Sequence, residues 1–124
     1  MAYDNKGFEV MNKSAKADYT DKQFYAVKLA GSGEFELAGA GDPILGILQD
    51  KPDIGRVAPV RTERISKAVC GGAFTEGDKL QVDANGKLVV GTGTPAEHLV
   101  ALALEDSGAD GEIHAVLLKD LGTQ

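Results

Sequence analysis

The distribution of apolar residues along the chain predicts short β-strands separated by turns. Between Gln23 and Ala38 the segments QFYAVKL and EFELA flank Gly-Ser-Gly, and in the second segment Phe35 and Leu37 alternate with glutamates. Alternation at period two puts the apolar side chains on one face of a pleated strand and the acidic ones in solvent. The two segments are therefore predicted to form a first hairpin.

Two further segments predict a buried strand and an edge strand. The segment ILGILQ is apolar almost throughout, which is typical of a strand that is covered on both faces or lies at a subunit contact. The segment RVAPVRTERISKAV predicts two short extended runs. Because Pro59 cannot donate a hydrogen bond to a ladder, its run is predicted to lie at an edge or a bulge, with the neighbouring basic residues discouraging strand addition.

The second half of the chain predicts two more hairpins. In DKLQVDANGKLVV, alternating apolar residues flank Asn85-Gly86, a pair that favours positive φ at both positions of a two-residue primed turn. The segment HLVALALE has the residue types of a helix, but Val100, Leu102 and Leu104 recur at period two, so we predict a strand. The break DSGADGE then leads to IHAVLL, which completes the last hairpin.

The two ends of the chain differ in pattern from its middle. Residues 1–22 carry dispersed apolar side chains among polar ones, and neither the helical nor the strand period is sustained. We interpret them as an extended N-terminal arm. Residues 23–118 are predicted to form one β domain and residues 119–124 a polar tail. A chain of 124 residues has the size of a single domain. The predicted fold class is therefore all-β, a small β-barrel-like or sandwich domain of short antiparallel strands with an extended N-terminal arm.

The apolar residues of the arm are the candidate binding residues. An extended chain could place them one after another in pockets of a neighbouring surface, or add a strand to a neighbour's sheet. A disordered tail is the alternative for any chain terminus. If the arm is separate from the domain, deleting it leaves the melting of the domain nearly unchanged. The candidates are Tyr3, Phe8, Val10, Met11 and Tyr19.

Charge and hydropathy narrow the class of function. The net charge of −6 and the pI near 4.8 give a field that repels phosphate, which argues against nucleic acid and anionic membranes as partners. The chain has no apolar run of the roughly 18 residues that cross a bilayer, and the beginning MAYDNKGFEV lacks the pattern of a signal peptide. We therefore expect no nucleic-acid partner, no membrane partner, and a protein that stays where it is made or in a particle assembled there.

No set of residues predicts catalysis, a cofactor or a metal site. Cys70, the single cysteine, would need a base such as His98 or His114 to act as a nucleophile, and a small buried thiol is the favoured interpretation. Zinc needs more clustered ligands, the acidic turns lack the glutamate of a calcium loop, and the glycine-rich segments lack the lysine of a phosphate loop. We expect no enzymatic activity, no catalytic residue, no cofactor and no metal.

An ordered series of segments resembles a known family. The segments are FYAVKL, DPILGILQDKP, ISKAVCGGAFTEGDKLQVDANGKLV and VALALEDSGADGEIHAVLL, which follow one another within residues 23–118. Each segment alone could be a generic hairpin, but the succession is similar to the small capsid cement, or head decoration, proteins of tailed bacteriophages.

The resemblance implies a structural virion protein. It implies a compact β-barrel-like domain, a homotrimer, synthesis in the host cytoplasm, and attachment to the outer capsid surface of the expanded head. There the protein would bridge subunits of the major capsid protein and stabilise the capsid. The alternatives are a phage tail, fibre or baseplate component, and a small carbohydrate- or protein-binding β module. A cysteine hydrolase that uses Cys70 ranks below both.

Overall fold

The structure, a computed structural model, describes residues 10–124. These residues form ten strands and no helix. Accordingly, the described part of the chain contains no helix that could span a membrane. The strands are β1 (Val10–Ala15), β2 (Ala26–Gly31), β3 (Glu34–Leu37), β4 (Gly46–Leu48), β5 (Val57–Arg61), β6 (Arg64–Val69), β7 (Lys79–Val82), β8 (Leu88–Val90), β9 (Ala101–Ala103) and β10 (Ile113–Leu118).

The strands build a closed barrel and a second sheet. The barrel has the order β1-β3-β2-β4-β5, and it closes because β1 pairs with both β3 and β5. The second sheet has the order β6-β10-β9-β7-β8. The pairing of β1 with β3 is parallel, and the other strand pairings are antiparallel. The predicted all-β, barrel-like class is confirmed.

The N-terminal boundary predicted at residue 22 is wrong for the described residues before it. Strand β1 pairs with β5 over five consecutive residue pairs, from Val10 opposite Arg61 to Ser14 opposite Val57. Ala15 is fully buried in the barrel. Residues 10–22 are therefore part of the β domain, because the barrel closes only through β1.

Two apolar cores divide the domain. The barrel core lies inside the barrel, and the inter-sheet core lies between the barrel and the second sheet. Strand β4 serves both, since Ile47 belongs to the inter-sheet core and Leu48 to the barrel core, and all three of its residues are buried. This confirms that ILGILQ contains a strand covered on both faces. The barrel core consists of Ala15, Tyr19, Val27, Phe35, Leu48, Ala58 and Val60.

The first and last hairpins are confirmed. In the first, Leu29 of β2 lies opposite Phe35 of β3, whose side chain is fully buried. In the last, β9 and β10 pair as predicted, with Ala103 opposite Val116. On β9 the alanines fill the inter-sheet core and Leu102 faces the other way.

The position predicted for Pro59 is wrong. Strand β5 lies between β1 and β4, so it is neither an edge nor bulged at Pro59, which pairs with Asn12. The carbonyl of Pro59 accepts a hydrogen bond from the Gln49 amide at 3.0 Å. A strand residue directs its nitrogen and its carbonyl to the same side. The nitrogen of Pro59, which carries no hydrogen, therefore faces the position one residue beyond Leu48. Strand β4 has ended there, so the ladder needs no donor at this position.

The hairpin predicted at Asn85-Gly86 is present, but its turn is not the predicted two-residue one. Strands β7 and β8 pair, and the Asp83 amide donates to the Lys87 carbonyl at 2.8 Å, which leaves a three-residue loop. Asp83 Oδ1 accepts from the Asn85 and Lys87 amides. Within this turn only Gly86 has positive φ, at 81°. The carboxylate of Asp83 thus stabilises a longer turn that ends in one left-handed glycine.

The C-terminal segment predicted as a polar tail is held against the domain. Thr123 forms a bridge with His98, and the Leu99 amide donates to the Gly122 carbonyl at 2.8 Å. The Gln124 amide donates to the Glu97 carbonyl at 3.0 Å. Residues 119–124 therefore belong to the domain through backbone hydrogen bonds that their polar side chains do not reveal.

Candidate docking surfaces

The outer face of the second sheet carries a row of apolar residues across three neighbouring strands, flanked by exposed Lys67, which pairs with Ala115, and exposed Lys79, which pairs with Leu102. Ile65 of β6 lies opposite Leu117 of β10, which lies opposite Leu102 of β9. Since Val116 fills the inter-sheet core, alternation puts this row on the outer face. Ile65 is 59% exposed, and Ile113 on the same face is 49% exposed. We call the following six residues the apolar face: Ile65, Leu102, Leu104, Ile113, Ala115 and Leu117.

The apolar face occupies only half of the sheet, because the other half is covered. Gln81 of β7 is 3% exposed. Its Oε1 accepts hydrogen bonds from the Thr92 amide at 2.9 Å and from Gln124 Nε2 at 2.6 Å, and its Nε2 donates to Glu97 Oε1 at 3.1 Å. Residues 92–97 and the C-terminal segment therefore cover β7, while β6, β10 and β9 present their apolar side chains to solvent.

Sequence reasoning missed the apolar face. Both faces of β9 and β10 carry apolar residues, so alternation identifies the strands without telling which face is buried. A contiguous exposed apolar patch on a small protein marks an interaction site. Among the described residues, the other large exposed apolar side chains lie outside this row: Leu29, Ile54, Val57 and Val90.

A cleft of about 460 Å³ opens between the barrel and the second sheet. Its apolar lining comes from both sides, with Ile44 from the segment before β4, Val100 from the residue just before β9, and Leu118 from the end of β10. The volume lies in the range of sites that bury small ligands. The polar side chains that line it are Thr62, Glu63, His98, Lys119 and Asp120.

His114 ties together the two ends of the loop between β9 and β10. Its Nδ1 lies 3.2 Å from Glu105 Oε1 and its Nε2 lies 2.8 Å from Glu112 Oε1. The hydrogen bond to Glu112 and then that to Glu105 raise the pKa of His114 above its ordinary value, against the opposing effect of desolvation. The pKa of Glu105 is lowered, first by the Ala115 amide, and that of Glu112 first by the Gly108 amide.

This cluster predicts a pH-dependent contribution to stability. Because the folded-state pKa of His114 is raised, protonated His114 stabilises the fold fully below about pH 6.5, and the contribution is lost as pH rises through the folded pKa. We expect the melting temperature of the wild type to fall, relative to a His114→Gln variant, as pH rises from about 6 to 8. Calorimetry across this range checks it, and parallel profiles for the two proteins would contradict it.

Cys70 is a buried structural thiol. The residue is fully buried, its Sγ lies 3.6 Å from the Ala68 carbonyl, and burial raises the pKa of the thiol. A nucleophilic cysteine needs the opposite shift. His114 is engaged by two carboxylates, and His98 lines the cleft. The position fits the predicted packing role.

The described residues contain no group of three or more histidine, cysteine, aspartate or glutamate side chains placed to hold a metal ion. The acidic turns considered as calcium loops have structural roles instead. Asp83 stabilises the β7–β8 turn, and Asp106 Oδ1 accepts from the Glu76 amide at 2.7 Å.

The five predicted arm residues do not form one common site among the described residues. Tyr3 and Phe8 lie outside the described residues. Val10 pairs with Arg61, and Met11 pairs with Val60 in the barrel wall. Tyr19 is 7% exposed and stacks on Phe35 with ring centroids 5.7 Å apart, and its hydroxyl accepts from the Leu37 amide. Tyr19 is thus part of the barrel core and not available to a partner.

Comparison with known proteins identifies the family. The phage cement protein family matches residues 7–119. The chain belongs to the phage cement protein family. The predicted resemblance is therefore confirmed, and with it the function of a capsid-associated decoration protein. No curated protein matches the chain.

A solved structure shares the fold. This is the head fibre gp8.5 N base of bacteriophage phi29, which is 17% identical, with a TM-score of 0.69 over 91% of this chain and 97% of the other. At this identity the likeness concerns the fold alone. It shows that the arrangement of barrel and second sheet also occurs in a protein of a phage head.

Proposed function

We propose that this cement protein binds the outer surface of the phage capsid as a homotrimer and stabilises the capsid by bridging subunits of the major capsid protein. The match of the cement family to residues 7–119 carries the proposal. The proposal includes synthesis in the host cytoplasm. It also includes the absence of enzymatic activity, which the buried thiol of Cys70 supports. A trimer that contacts several subunits gains affinity through effective concentration, even when each contact is weak.

The apolar face is the proposed capsid contact. Ile65 and Ile113 expose 59% and 49% of their surface, on strands whose backbones are held by neighbouring strands. Burying an isoleucine side chain contributes about 1.5–3 kcal/mol. Rigid strands lose little conformational freedom when they bind, so more of that free energy remains as affinity.

Charge substitutions on the apolar face test the proposal. The double variant Ile65→Asp, Ile113→Asp should bind undecorated capsids on the order of 100-fold more weakly, since about 3 kcal/mol of burial is lost. The matched control is Ile54→Asp, Val57→Asp, because these side chains are 66% and 65% exposed but lie outside the face. Capsid occupancy is measured by titration and electron microscopy.

Two outcomes would count against the capsid contact. Equal loss of binding in both double variants would point to a general effect of negative charge, and undiminished binding in the first would remove the face from the capsid contact. Light scattering on the free proteins adds a second measurement. A change from trimer to monomer in the first variant would assign the face to contacts between copies.

A further inference from the structure

Strand β6 forms one edge of the second sheet, and half of its backbone groups face away from the sheet. Its partner is β10, because the sheet has the order β6-β10-β9-β7-β8. The Cys70 amide donates to the Glu112 carbonyl at 2.7 Å, so even-numbered residues of this ladder direct their backbone groups to β10. The Val69 amide donates to the Phe24 carbonyl at 2.9 Å, on the opposite side. Odd-numbered residues of β6 therefore face outward.

Two of these outward-facing residues, Ile65 and Lys67, have free amides. Within the described part of the chain, neither N–H donates a hydrogen bond. Because buried N–H groups are nearly always paired, these two are in contact with solvent. The Lys67 carbonyl accepts from Ser66 Oγ at 2.8 Å, and its second lone pair can accept from another donor. The free edge ends at Val69, whose amide is bound by Phe24.

The side chains of the same two residues lie on the outer face, one apolar and the other basic. Ile65 belongs to the apolar face, and Lys67 is exposed opposite Ala115. Lys67 Nζ lies 5.9 Å from the centre of the Phe24 ring. No carboxylate among the described residues forms an ion pair with Lys67. Its charge is therefore available to a partner.

The other charged residues around β6 leave Lys67 as the charge that an added strand would meet on the outer face. Glu63 precedes the strand and lines the cleft. Alternation places Arg64 on the opposite face of the sheet, with Ser66. Lys79 lies on β7, with β9 and β10 between it and β6.

A short extended segment of another protein would fit this edge. It would exchange hydrogen bonds with Ile65 and Lys67 and place alternate side chains on the outer face. Neighbouring side chains on adjacent strands stabilise a sheet as apolar pairs and as pairs of opposite charge. A lysine on an edge strand also discourages pairing with a basic strand. The fitting segment therefore carries an apolar side chain beside Ile65 and an acidic one beside Lys67.

The edge strands of a second copy do not fit in the same way. Pairing of β6 with β6 of another copy would be a two-fold contact, whereas a trimer needs contacts that repeat around a three-fold axis. The other edge strand is β8, whose Leu88 carbonyl already accepts from the Gly71 amide at 2.8 Å. Among the described residues of β8, this leaves Val90 alone facing outward, which is too few for a ladder.

We propose that a short extended segment of the major capsid protein pairs with β6 at Ile65 and Lys67 and places an acidic side chain beside Lys67. This inference rests on the proposed function and adds the conformation and charge of the capsid segment. The added strand would lie at the margin of the apolar face, because Ile65 belongs to both surfaces.

Two substitutions at Lys67 separate the charge from the hydrogen bond. Lys67→Ala removes the charge and keeps the amide, whereas Lys67→Pro removes both. Proline is tolerated on an edge strand where its nitrogen faces solvent, so both variants should fold. Binding to undecorated capsids, measured by titration, should fall about threefold in Lys67→Ala and about tenfold further in Lys67→Pro. Val90→Pro makes the same backbone change on the other edge strand and should bind like the wild type.

Hydrogen exchange is a second measurement, and it needs no substitution. The amides of Ile65 and Lys67 should exchange rapidly in the free protein and slowly on the capsid, because a strand then covers them. The Val90 amide is the internal control and should exchange equally in both states. Mass spectrometry of peptides from β6 and β8 measures the difference.

Equal capsid binding of folded Lys67→Ala and Lys67→Pro would overturn the strand addition. Unchanged exchange of the Ile65 and Lys67 amides on the capsid would overturn it too, and this result decides if Lys67→Pro does not fold. Protection that already appears in the free protein and rises with its concentration would assign the edge to a second copy instead.

Failure of the strand addition can be distinguished from failure of the proposed function. If Ile65→Asp, Ile113→Asp loses capsid binding while both Lys67 variants bind like the wild type, the apolar face remains the capsid contact and the strand addition is wrong. If the wild type does not bind capsids, the proposed function is wrong.

Discussion

The Gly46→Ala variant is expected to be strongly destabilised. A Cβ at Gly46 would lie 2.0 Å from the Arg61 carbonyl oxygen and 2.8 Å from its carbon. Both atoms belong to the backbone of β5, so no side chain can rotate away. Relief requires β4 to move away from β5, although Ile47 and Leu48 hold it in two cores.

The expected loss is about 3 kcal/mol or more, at the upper end of the cost of overpacking a core. Domains of this size have a total stability of about 5–15 kcal/mol, so this loss is a substantial fraction of the total. Urea unfolding followed by circular dichroism measures the change.

Gly72→Ala is the matched control for this prediction. Neither glycine has positive φ, but a Cβ at Gly72 would meet no atom within 4 Å. Its stability should stay within about 0.5 kcal/mol of the wild type. If both variants unfold at the same urea concentration, the close approach of β4 to β5 does not decide the stability of the barrel.

Local sequence patterns predicted the strands whose partners follow them closely in the chain. The hairpins of β2 with β3, β7 with β8 and β9 with β10 all combine period-two alternation with a turn signal, and all three are present. The close approach at Gly46 could not be predicted this way, because alternation and turn signals do not tell how near the backbone of one strand comes to a given position of its partner. The turn after Asp83 was misjudged since its length depends on a side-chain carboxylate and not on Asn85-Gly86 alone.

Strand β1 shows where the sequence pattern was insufficient. Its residues VMNKSA mix polar and apolar types with no sustained period. Its partners are β3 and β5, which come much later in the chain. The pairing is therefore a tertiary effect, and the same holds for the C-terminal segment against residues 97–99. The apolar face was not predicted for a different reason. Both faces of β9 and β10 carry apolar residues, so only the packing against the barrel decides which face is buried.

Deleting residues 2–20 is expected to unfold the barrel, which is the opposite of what an independent arm would do. The deletion removes β1, which opens the barrel and leaves β3 paired only with β2 and β5 paired only with β4. It also removes Ala15 and Tyr19 from the barrel core, and with Tyr19 the stacking on Phe35. Removing one large buried aromatic side chain costs about 3–5 kcal/mol. Together with the lost ladder, this approaches the whole stability of the domain.

Deleting residues 2–9 is the matched control, because it leaves β1 and Tyr19 in place. This shorter protein should keep a cooperative melting transition, whereas the longer deletion should lose it and expose apolar surface to a hydrophobic dye. A cooperative transition near the wild-type temperature in the longer deletion would show that β1 is dispensable. Capsid binding of the two proteins then has different meanings. Lost binding in the longer deletion reports the loss of the fold, and only the shorter deletion reports whether residues 2–9 take part in capsid binding.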